Sequence, residues 1–403
     1  MSRFALRVLQ LSNADQVQET MKKIGVDSAG IARMADKAQW VNILVANLPC
    51  GAANILKQEM LAIGADAAVA RGTVTCSLKH TDVLLMATLK QFAQLIERLP
   101  CQPFGLPDLA IELQQLLATA VSRPKLLQGK DCCLNLDRPQ VMAVLNVTPD
   151  SFYDGGKSFS VDSALLQVEQ QIADGADIID IGGESTRPGA PLVDVDTELE
   201  RIIPVVNAVR SSFSIPISVD TNKATVAARA IEAGANFIND ISGLTFDTKM
   251  AEVVADSGAG LFVMHTRGCP EVMQRNTVYA DLIGDIISSL SLSLQTAHEA
   301  GIATDKLAVD PGIGFGKSVA GNLEILRRLS ELQCLGCPIL LGTSRKSFIG
   351  ELLHQPQPQQ RLFGSVGSAV VGFNNGAQLF RVHDVAPTRQ ALDIAWSVCA
   401  SNF

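Results

Sequence analysis

The chain has 403 residues, with 33 Lys plus Arg against 41 Asp plus Glu, a formal charge of −8, and no run of basic residues longer than two. That balance excludes the clustered cations on which broad nucleic-acid binding and polybasic membrane anchoring depend. With 47% hydrophobic, 18% charged and 5% aromatic residues, the composition is that of a large aliphatic core and not of a disordered chain.

The opening MSRFALRVLQLSNADQ has no apolar stretch long enough for a secretory signal, and no 18-residue apolar run occurs anywhere, which predicts a cytoplasmic protein. Nine Cys at irregular spacing form no disulfide framework. Cys334-Leu-Gly-Cys337 spells C-x-x-C, but without two further ligands it reads as small apolar filling and not as a zinc site.

Residues 1–125 hold 13 Lys plus Arg and 10 Asp plus Glu, a net +3 that leaves −11 to the rest. This split suggests two units, 1–124 and 125–403. In the first, strand-like runs at 4–11, 41–48, 67–72 and 82–88 alternate with helical stretches at 54–63 and 89–99, predicting a small mixed α/β domain. A second site there would have to be built from Lys57, Glu59, Lys79, His80 and Lys90, which solvated helix faces over an α/β core explain better. Residues 123–140, with Pro124, Gly129, Pro139 and the alternating CLNLD, predict a connector with a short hairpin.

From residue 141 the rhythm changes. Runs rich in β-formers at 141–147, 177–183, 216–221, 236–241, 260–265, 306–312, 338–344 and 377–383 are each followed by a helical period. Eight strand–helix units predict parallel strands closed into a (β/α)8 barrel, a TIM barrel, with an open doubly wound sheet as the alternative.

A barrel of this kind carries its active site at the C-terminal ends of the strands. There the sequence places Asn146, then Asp180 and Glu184, Asp220, Asn239-Asp240, Met264-His265, Asp310, Ser344-Arg345-Lys346, and finally Arg381, His383 and Asp384. Any one of these serves equally well as a helix cap, but repetition over eight strands predicts a site. Arg187, Arg345, Lys346, Arg381 and His383 supply cationic donors for a small anion, while Asp220, Asn239 and Asp310 suit a hydrogen-bonding heterocycle. The segment DPGIGFGKS (310–318) is not a phosphate loop, because Pro311 stands where the first Gly of G-x-x-x-x-G-K-S belongs. It fails the dinucleotide fingerprint as well, Lys317 taking the place of the last Gly.

Together, NVTPDSFYDGG (146–156), GGESTRPGA (182–190), SVDT (218–221), NDISG (239–243), MH (264–265), DPGIGFGK (310–317), TSRKSFIG (343–350) and RVHD (381–384) closely resemble the motifs of the dihydropteroate synthases. The resemblance covers roughly residues 125–399. It implies a transferase that condenses 6-hydroxymethyl-7,8-dihydropterin pyrophosphate with p-aminobenzoate, giving 7,8-dihydropteroate and pyrophosphate in folate biosynthesis.

Carried over residue by residue, the resemblance puts Asp220, Asn239, Met264, Asp310, Lys346 and Arg381 around the pterin. Asn146, Thr186, Arg187, Arg381 and His383 would hold the pyrophosphate, with Asn146 also a ligand of Mg²⁺, the implied cofactor. Phe152, Pro188, Phe315, Lys317 and Ser344 would lie against p-aminobenzoate. Asp150, Arg187, Lys346 and Arg381 would carry the catalytic roles, the TPDSF and STRPG loops closing over the substrates. A homodimer through barrel helices is implied too, with small molecules as the other partners.

Thr266-Arg267-Gly268 and Tyr153 depart from the usual pattern at the rim without removing an assigned role, and residues 1–124 have no counterpart in the minimal enzyme. Two rival readings are a pterin-binding methyltransferase barrel of corrinoid systems and a non-catalytic pterin-binding paralogue. Intact TPDSF, STRPG, SRKS and RVH motifs separate the chain from both.

Overall fold

Hydrophobic alternation decides the smaller unit. In the computed structural model, which describes residues 5–11, 14–121, 123–148, 161–185, 192–268 and 273–399, the chain divides into Met1–Ala118 and Thr119–Phe403. The border thus falls a few residues before position 124. The first unit runs α1 (Ala14–Ile24), α2 (Ser28–Met34), β1 (Trp40–Pro49), α3 (Cys50–Ala62), β2 (Asp66–Val69), β3 (His80–Thr88), α4 (Leu89–Arg98) and α5 (Leu106–Val121).

Along β3 alternate residues are buried, so Val83, Leu85 and Ala87 face a core shared with Leu56 and Met60 of α3 and Phe92 and Leu95 of α4. The sheet order is β1-β3-β2, antiparallel throughout. Helix α4 begins at a capping box, the Thr88 hydroxyl accepting the Gln91 N–H at 3.3 Å and the Gln91 side-chain oxygen accepting the Thr88 N–H at 3.0 Å. The strand expected over 4–11 is not formed. Residues 5–11 belong to no strand or helix and are exposed throughout; their apolar pattern has no neighbouring strand to pair with.

The second unit opens with the expected hairpin, β4 (Leu126–Gly129) and β5 (Cys132–Asn135). Eight strands follow: β6 (Gln140–Asn146), β7 (Ile178–Gly182), β8 (Ile217–Asp220), β9 (Phe237–Asp240), β10 (Gly260–Met264), β11 (Leu307–Asp310), β12 (Leu340–Leu341) and β13 (Leu379–Val382). Between and after them lie α6 (Val161–Ala173), α7 (Val195–Ser212), α8 (Ala224–Glu232), α9 (Met250–Ser257), α10 (Leu282–Glu299), α11 (Val319–Arg328), α12 (Ser347–Leu353), α13 (Leu362–Asn374) and α14 (Val385–Cys399).

All neighbouring pairs from β6 to β13 are parallel. A further parallel bridge from Val309 to Ile339 joins the two ends of the sheet. This closes the barrel and disposes of the open-sheet alternative. Among the described residues no helix is long and apolar enough to cross a membrane.

The two-residue period of the strands sorts side chains between the outside and the inside of the barrel. Val141, Ala143, Ile179, Val219, Leu261, Val309, Leu341 and Phe380 belong to the outer core beneath the helices. Met142, Ile178, Phe237, Phe262, Ala308, Leu340 and Leu379 form an inner layer at the N-terminal end, capped by Leu127, Leu134 and Leu136 from the hairpin region. The Phe237 and Phe262 rings stack tilted, 5.5 Å between centroids. Glycine is needed at Gly129 and Gly260, where an added Cβ would stand 2.6 Å and 2.4 Å from the Phe237 ring. The barrel is therefore plugged below and open above.

Replacing Phe237, fully buried in this plug, by Ala should lower the unfolding free energy of the second unit by about 3–5 kcal/mol. Urea unfolding followed by tryptophan fluorescence checks the loss, and an unchanged midpoint would show that the inner layer is not close-packed.

Candidate active site

One step further along each strand the inward positions turn polar: Asp180 on β7, Ser218 and Asp220 on β8, Asn239 on β9, Asp310 on β11 and Arg381 on β13, every one but Arg381 buried. Charged groups survive here because they meet one another. The Arg381 guanidinium donates from Nε to Asp180 Oδ2 at 2.6 Å and from Nη2 to Asp220 Oδ2 at 2.7 Å. Asp180 Oδ2 also accepts from the Asn239 amide at 3.4 Å. Burial pushes the Asp220 carboxyl up to about 7 against the pull of Arg381, with Asp180 adding to the rise. The other oxygens of Asp180 and Asp220 and the Ser218 hydroxyl are buried without a protein hydrogen-bond partner, a polar interior suited to a bound group or water.

Above this layer lies an open pocket lined by Asn239, Ile241, Met264, Asp310, Phe315, Gly342, Ser344, Lys346, Arg381 and His383, a mixture of apolar wall and convergent polar groups typical of small-molecule sites. Ile241, Met264 and Phe315 share one apolar cluster with Met273. Asp310 accepts the Gly312 N–H at 2.7 Å. Its carboxyl is raised by burial and drawn back by Lys346. The Lys346 ammonium donates to the Ile313 carbonyl and lies 4.4 Å from the Phe315 ring centroid. Burial lowers it to about 8, Asp310 opposing. At the rim, the Ser344 hydroxyl accepts the His383 backbone N–H at 3.1 Å and meets the ring Nδ1 at 3.0 Å.

The glycine-rich segment after β11 forms the pocket's wall. Gly312 has φ +68°, and a Cβ there would stand 2.0 Å from the His265 carbonyl oxygen; this close approach and the left-handed backbone both demand glycine. Tyr279 and Gln274 donate to the Gly316 and Gly314 carbonyls at 3.0 Å and 2.6 Å, and the Gly314 N–H donates to Asn322 at 2.7 Å. Beneath the segment, buried Lys317 donates to the Phe315 carbonyl at 2.8 Å and lies 2.9 Å from His265 Nδ1. Burial lowers Lys317 to about 7 and His265 to about 3, the Lys317 charge adding to the latter.

Of the residues expected around the pterin, Asn239, Met264, Asp310, Lys346 and Arg381 line one pocket, while Asp220 stands behind Arg381. Phe315, Ser344 and His383 join them. Asn146 ends β6 beside Gly182 of β7 and is half-buried. Two cations are not where the sequence suggested. Lys317 is committed to the loop's own carbonyls, and Arg345 is bound by Asp384, at 2.9 Å and 2.5 Å; neither lines the pocket. Asp150, Phe152, Thr186, Arg187 and Pro188 lie outside the described residues.

At the described base of the segment after β7, Lys223 bridges Glu184 and the buried Glu198, at 2.5 Å each. Sequence reasoning put Asp180 at a strand end but not in the site; its inward parity with Asp220 and Arg381 was the available signal. Ile241 and Gly342 were missed outright, since a pocket wall of ordinary residues leaves no chemical signature.

Residues 142–383 match the family model described as "Pterin binding enzyme". A dihydropteroate synthase from Synechocystis is 46% identical over 64% of this chain and 89% of its own length. A probable bifunctional folylpolyglutamate synthase/dihydropteroate synthase from Halobacterium salinarum is 35% identical over 96% of this chain, which spans 46% of that protein; the similarity therefore includes the first unit. A solved dihydropteroate synthase from Xanthomonas albilineans with 4-aminobenzoic acid superposes with a TM-score of 0.65 at 42% identity, over 70% of this chain and 100% of that one.

The buried Lys317 predicts a pH signature of stability. Its folded pKa of about 7 lies below the unfolded value of about 10.4, so charging it disfavours the folded state. Stability is lost as pH falls from about 10 to about 7, by up to about 5 kcal/mol, and no further below that. Comparing urea unfolding of the wild type and Lys317→Met across this range should show the wild type losing ground to the variant with falling pH. Parallel curves would mean that Lys317 is not desolvated.

Proposed function

The chain belongs to the pterin-binding enzyme family and within it to the dihydropteroate synthases, and from that premise we propose how its own residues divide the work. The enzyme is a transferase of folate biosynthesis, condensing 6-hydroxymethyl-7,8-dihydropterin pyrophosphate with p-aminobenzoate. The observation that carries the assignment of roles is the convergence of Asp310, Asn239, Lys346 and Arg381 on one pocket that Met264 and Phe315 also line.

A pterin edge presents two parallel N–H donors, which the Asp310 carboxylate accepts in bidentate fashion, while the Gly312 N–H fixes its orientation. Lys346 and Asn239 donate to ring oxygen and nitrogen, and the Arg381 plane, held from behind by Asp180 and Asp220, lies against the ring face. His383, with Asn146, Thr186 and Arg187, receives the pyrophosphate.

In the reaction the exocyclic C–O bond breaks with its electron pair leaving on pyrophosphate, the electron-rich dihydropterin stabilises the cationic carbon, and the aryl amine lone pair then forms the C–N bond as its proton departs to water. The protein's part is to position and to stabilise charge, and the mechanism assigns no covalent nucleophile. p-Aminobenzoate would rest between Phe315, Ser344, Phe152, Pro188 and the loop that Lys317 braces.

The donor set suits Mg²⁺ as an ion chelated mainly by substrate phosphates. Asn146 offers one amide oxygen at a strand end, and among the described residues no group of three His, Cys, Asp or Glu side chains forms a cage. Bound there, Mg²⁺ would neutralise charge on the leaving group. We also place the enzyme in the cytoplasm as a homodimer. The resemblance supports this, as do the exposed apolar side chains of Phe363 on α13 and of Ile394 and Val398 on α14.

Purified protein with Mg²⁺, dihydropterin pyrophosphate and labelled p-aminobenzoate should yield labelled dihydropteroate; no product between pH 6 and 9 would falsify the assignment. Lys346→Met should lower kcat/KM for the pterin substrate by about two to three orders of magnitude, because Asp310 loses its buried counter-charge. The wild-type kcat/KM should fall above about pH 8, as Lys346 loses its proton, and at low pH, as Asp310 gains one. Lys346→Arg should move the alkaline limb upward, and an unmoved limb would assign it to another group.

A further inference from the structure

The first unit holds a cluster that the condensation does not use. Cys50 is the first residue of α3, and its buried thiol donates to the Thr73 carbonyl at 3.0 Å. The Asn54 amide, one turn along, donates to the same carbonyl at 2.8 Å and lies 3.8 Å from the Cys76 sulfur. Both thiols thus gather on the Asn54–Thr73 pair, Cys50 through the Thr73 carbonyl and Cys76 through the Asn54 amide. Cys76 is exposed and held at φ +51°, a left-handed conformation that an ordinary side chain adopts only under constraint. The turn carrying it is tied down by the Cys76 N–H to Thr73 and the Ser77 N–H to Gly72 bonds, at 3.1 Å each, and by the Cys50 N–H to Lys79 bond at 3.0 Å.

We propose that Cys50 and Cys76 form a reversible dithiol–disulfide site that exchanges with small-molecule disulfides of the glutathione class. The exposed Cys76 attacks as the thiolate. Its sulfur bonds to one glutathione sulfur, the disulfide bond of the reagent breaks, and one glutathione leaves with the electron pair. Cys50 then attacks the Cys76 sulfur, its proton passing to the departing second glutathione. One oxidised glutathione thus becomes two reduced ones as the protein dithiol becomes a disulfide.

Three features favour the second step. The resolving thiol shares the Asn54–Thr73 pair with its target, so the two sulfurs start in one cluster. It stands at the first turn of a 13-residue helix whose N-cap, Pro49, offers no side-chain hydrogen bond, so the turn's N–H groups and the helix dipole work against the burial that pushes the Cys50 thiol up. The Thr73 hydroxyl, in the same turn, is buried without a partner and is a spare donor. Exposed Cys101 and Cys399 serve as controls, since among the described residues no hydrogen bond ties either to a group shared with a second cysteine.

The test is to incubate the full chain with oxidised glutathione, quench with iodoacetamide and map the peptides by mass. A peptide joining Cys50 to Cys76 should appear, both sites should lose alkylation, and dithiothreitol should restore them, while Cys101 and Cys399 retain glutathione. Cys50→Ser should stop at glutathione on Cys76. The proposal is overturned if the wild type behaves like Cys50→Ser, with glutathione kept on Cys76 and no linked peptide. It is overturned equally if both thiols stay alkylatable from reducing to oxidising mixtures. The linked peptide is read in the wild type, so the result does not depend on any variant folding.

Discussion

The guanidinium of Arg381, clamped inside the barrel between Asp180 and Asp220, is the interaction on which the site depends. A cation taken out of water on β13 requires anions, and the neighbouring interior positions of β7 and β8 supply them at hydrogen-bonding distance. Removing either partner would leave an uncompensated buried charge, a loss of about 3–5 kcal/mol in typical pairs. The same contacts fix the guanidinium plane, and through Asp180 they also reach the Asn239 amide. One carboxylate that does not line the pocket thereby orients two residues that do.

This clamp is possible only because the layer below it is dry. The hairpin residues Leu127 and Leu134 and the paired rings of Phe237 and Phe262 close the N-terminal mouth, so the inward-facing carboxylates lie above it. Period-two alternation then forces them inward: Asp180 lies two residues before Gly182, and Asp220 two after Ser218, with Asp180 opposite Ser218 and Gly182 opposite Asp220 in the ladder. A one-residue slip in either strand would turn these carboxylates out among the aliphatic side chains beneath the helices. Register, apolar plug and polar site are consequences of one constraint.

All eight barrel strands and the hairpin were legible because each carries a strong local signal, a short β-rich run ended by a polar residue or by turn-forming glycine. The strand expected at residues 4–11 shows the limit of that signal, since alternation in Leu6 and Val8 describes a side-chain pattern but cannot supply a neighbour to pair with. The site was legible as a list of residue types and illegible as a set of pairings. Arg345 and Arg381 look alike in sequence, yet one is spent on Asp384 at the rim and the other is drawn inward by Asp180 and Asp220. Lys317, in a motif rich in glycine, reads as a ligand contact, and its hydrogen bond to the Phe315 carbonyl under its own loop leaves no trace in the sequence. Pairing depends on which strands are adjacent, and adjacency is a property of the closed barrel.

These pairings also change the electrostatic reading of the pocket. Counting cations at the strand ends suggests a strongly positive mouth, but Arg345 and Arg381 are already matched by carboxylates, and Lys346 faces Asp310. The described residues therefore form a nearly charge-balanced cradle, well suited to a neutral heterocycle with alternating donors and acceptors, and poorly suited to holding a multiply charged leaving group unaided. Recognition of the ring and neutralisation of the pyrophosphate are thus separable tasks. The first belongs to the rigid interior of the barrel, built by strand register. The second falls, in the proposed division of work, to groups beyond that interior, and a cation carried in on the substrate phosphates would ask no more of Asn146 than one amide oxygen.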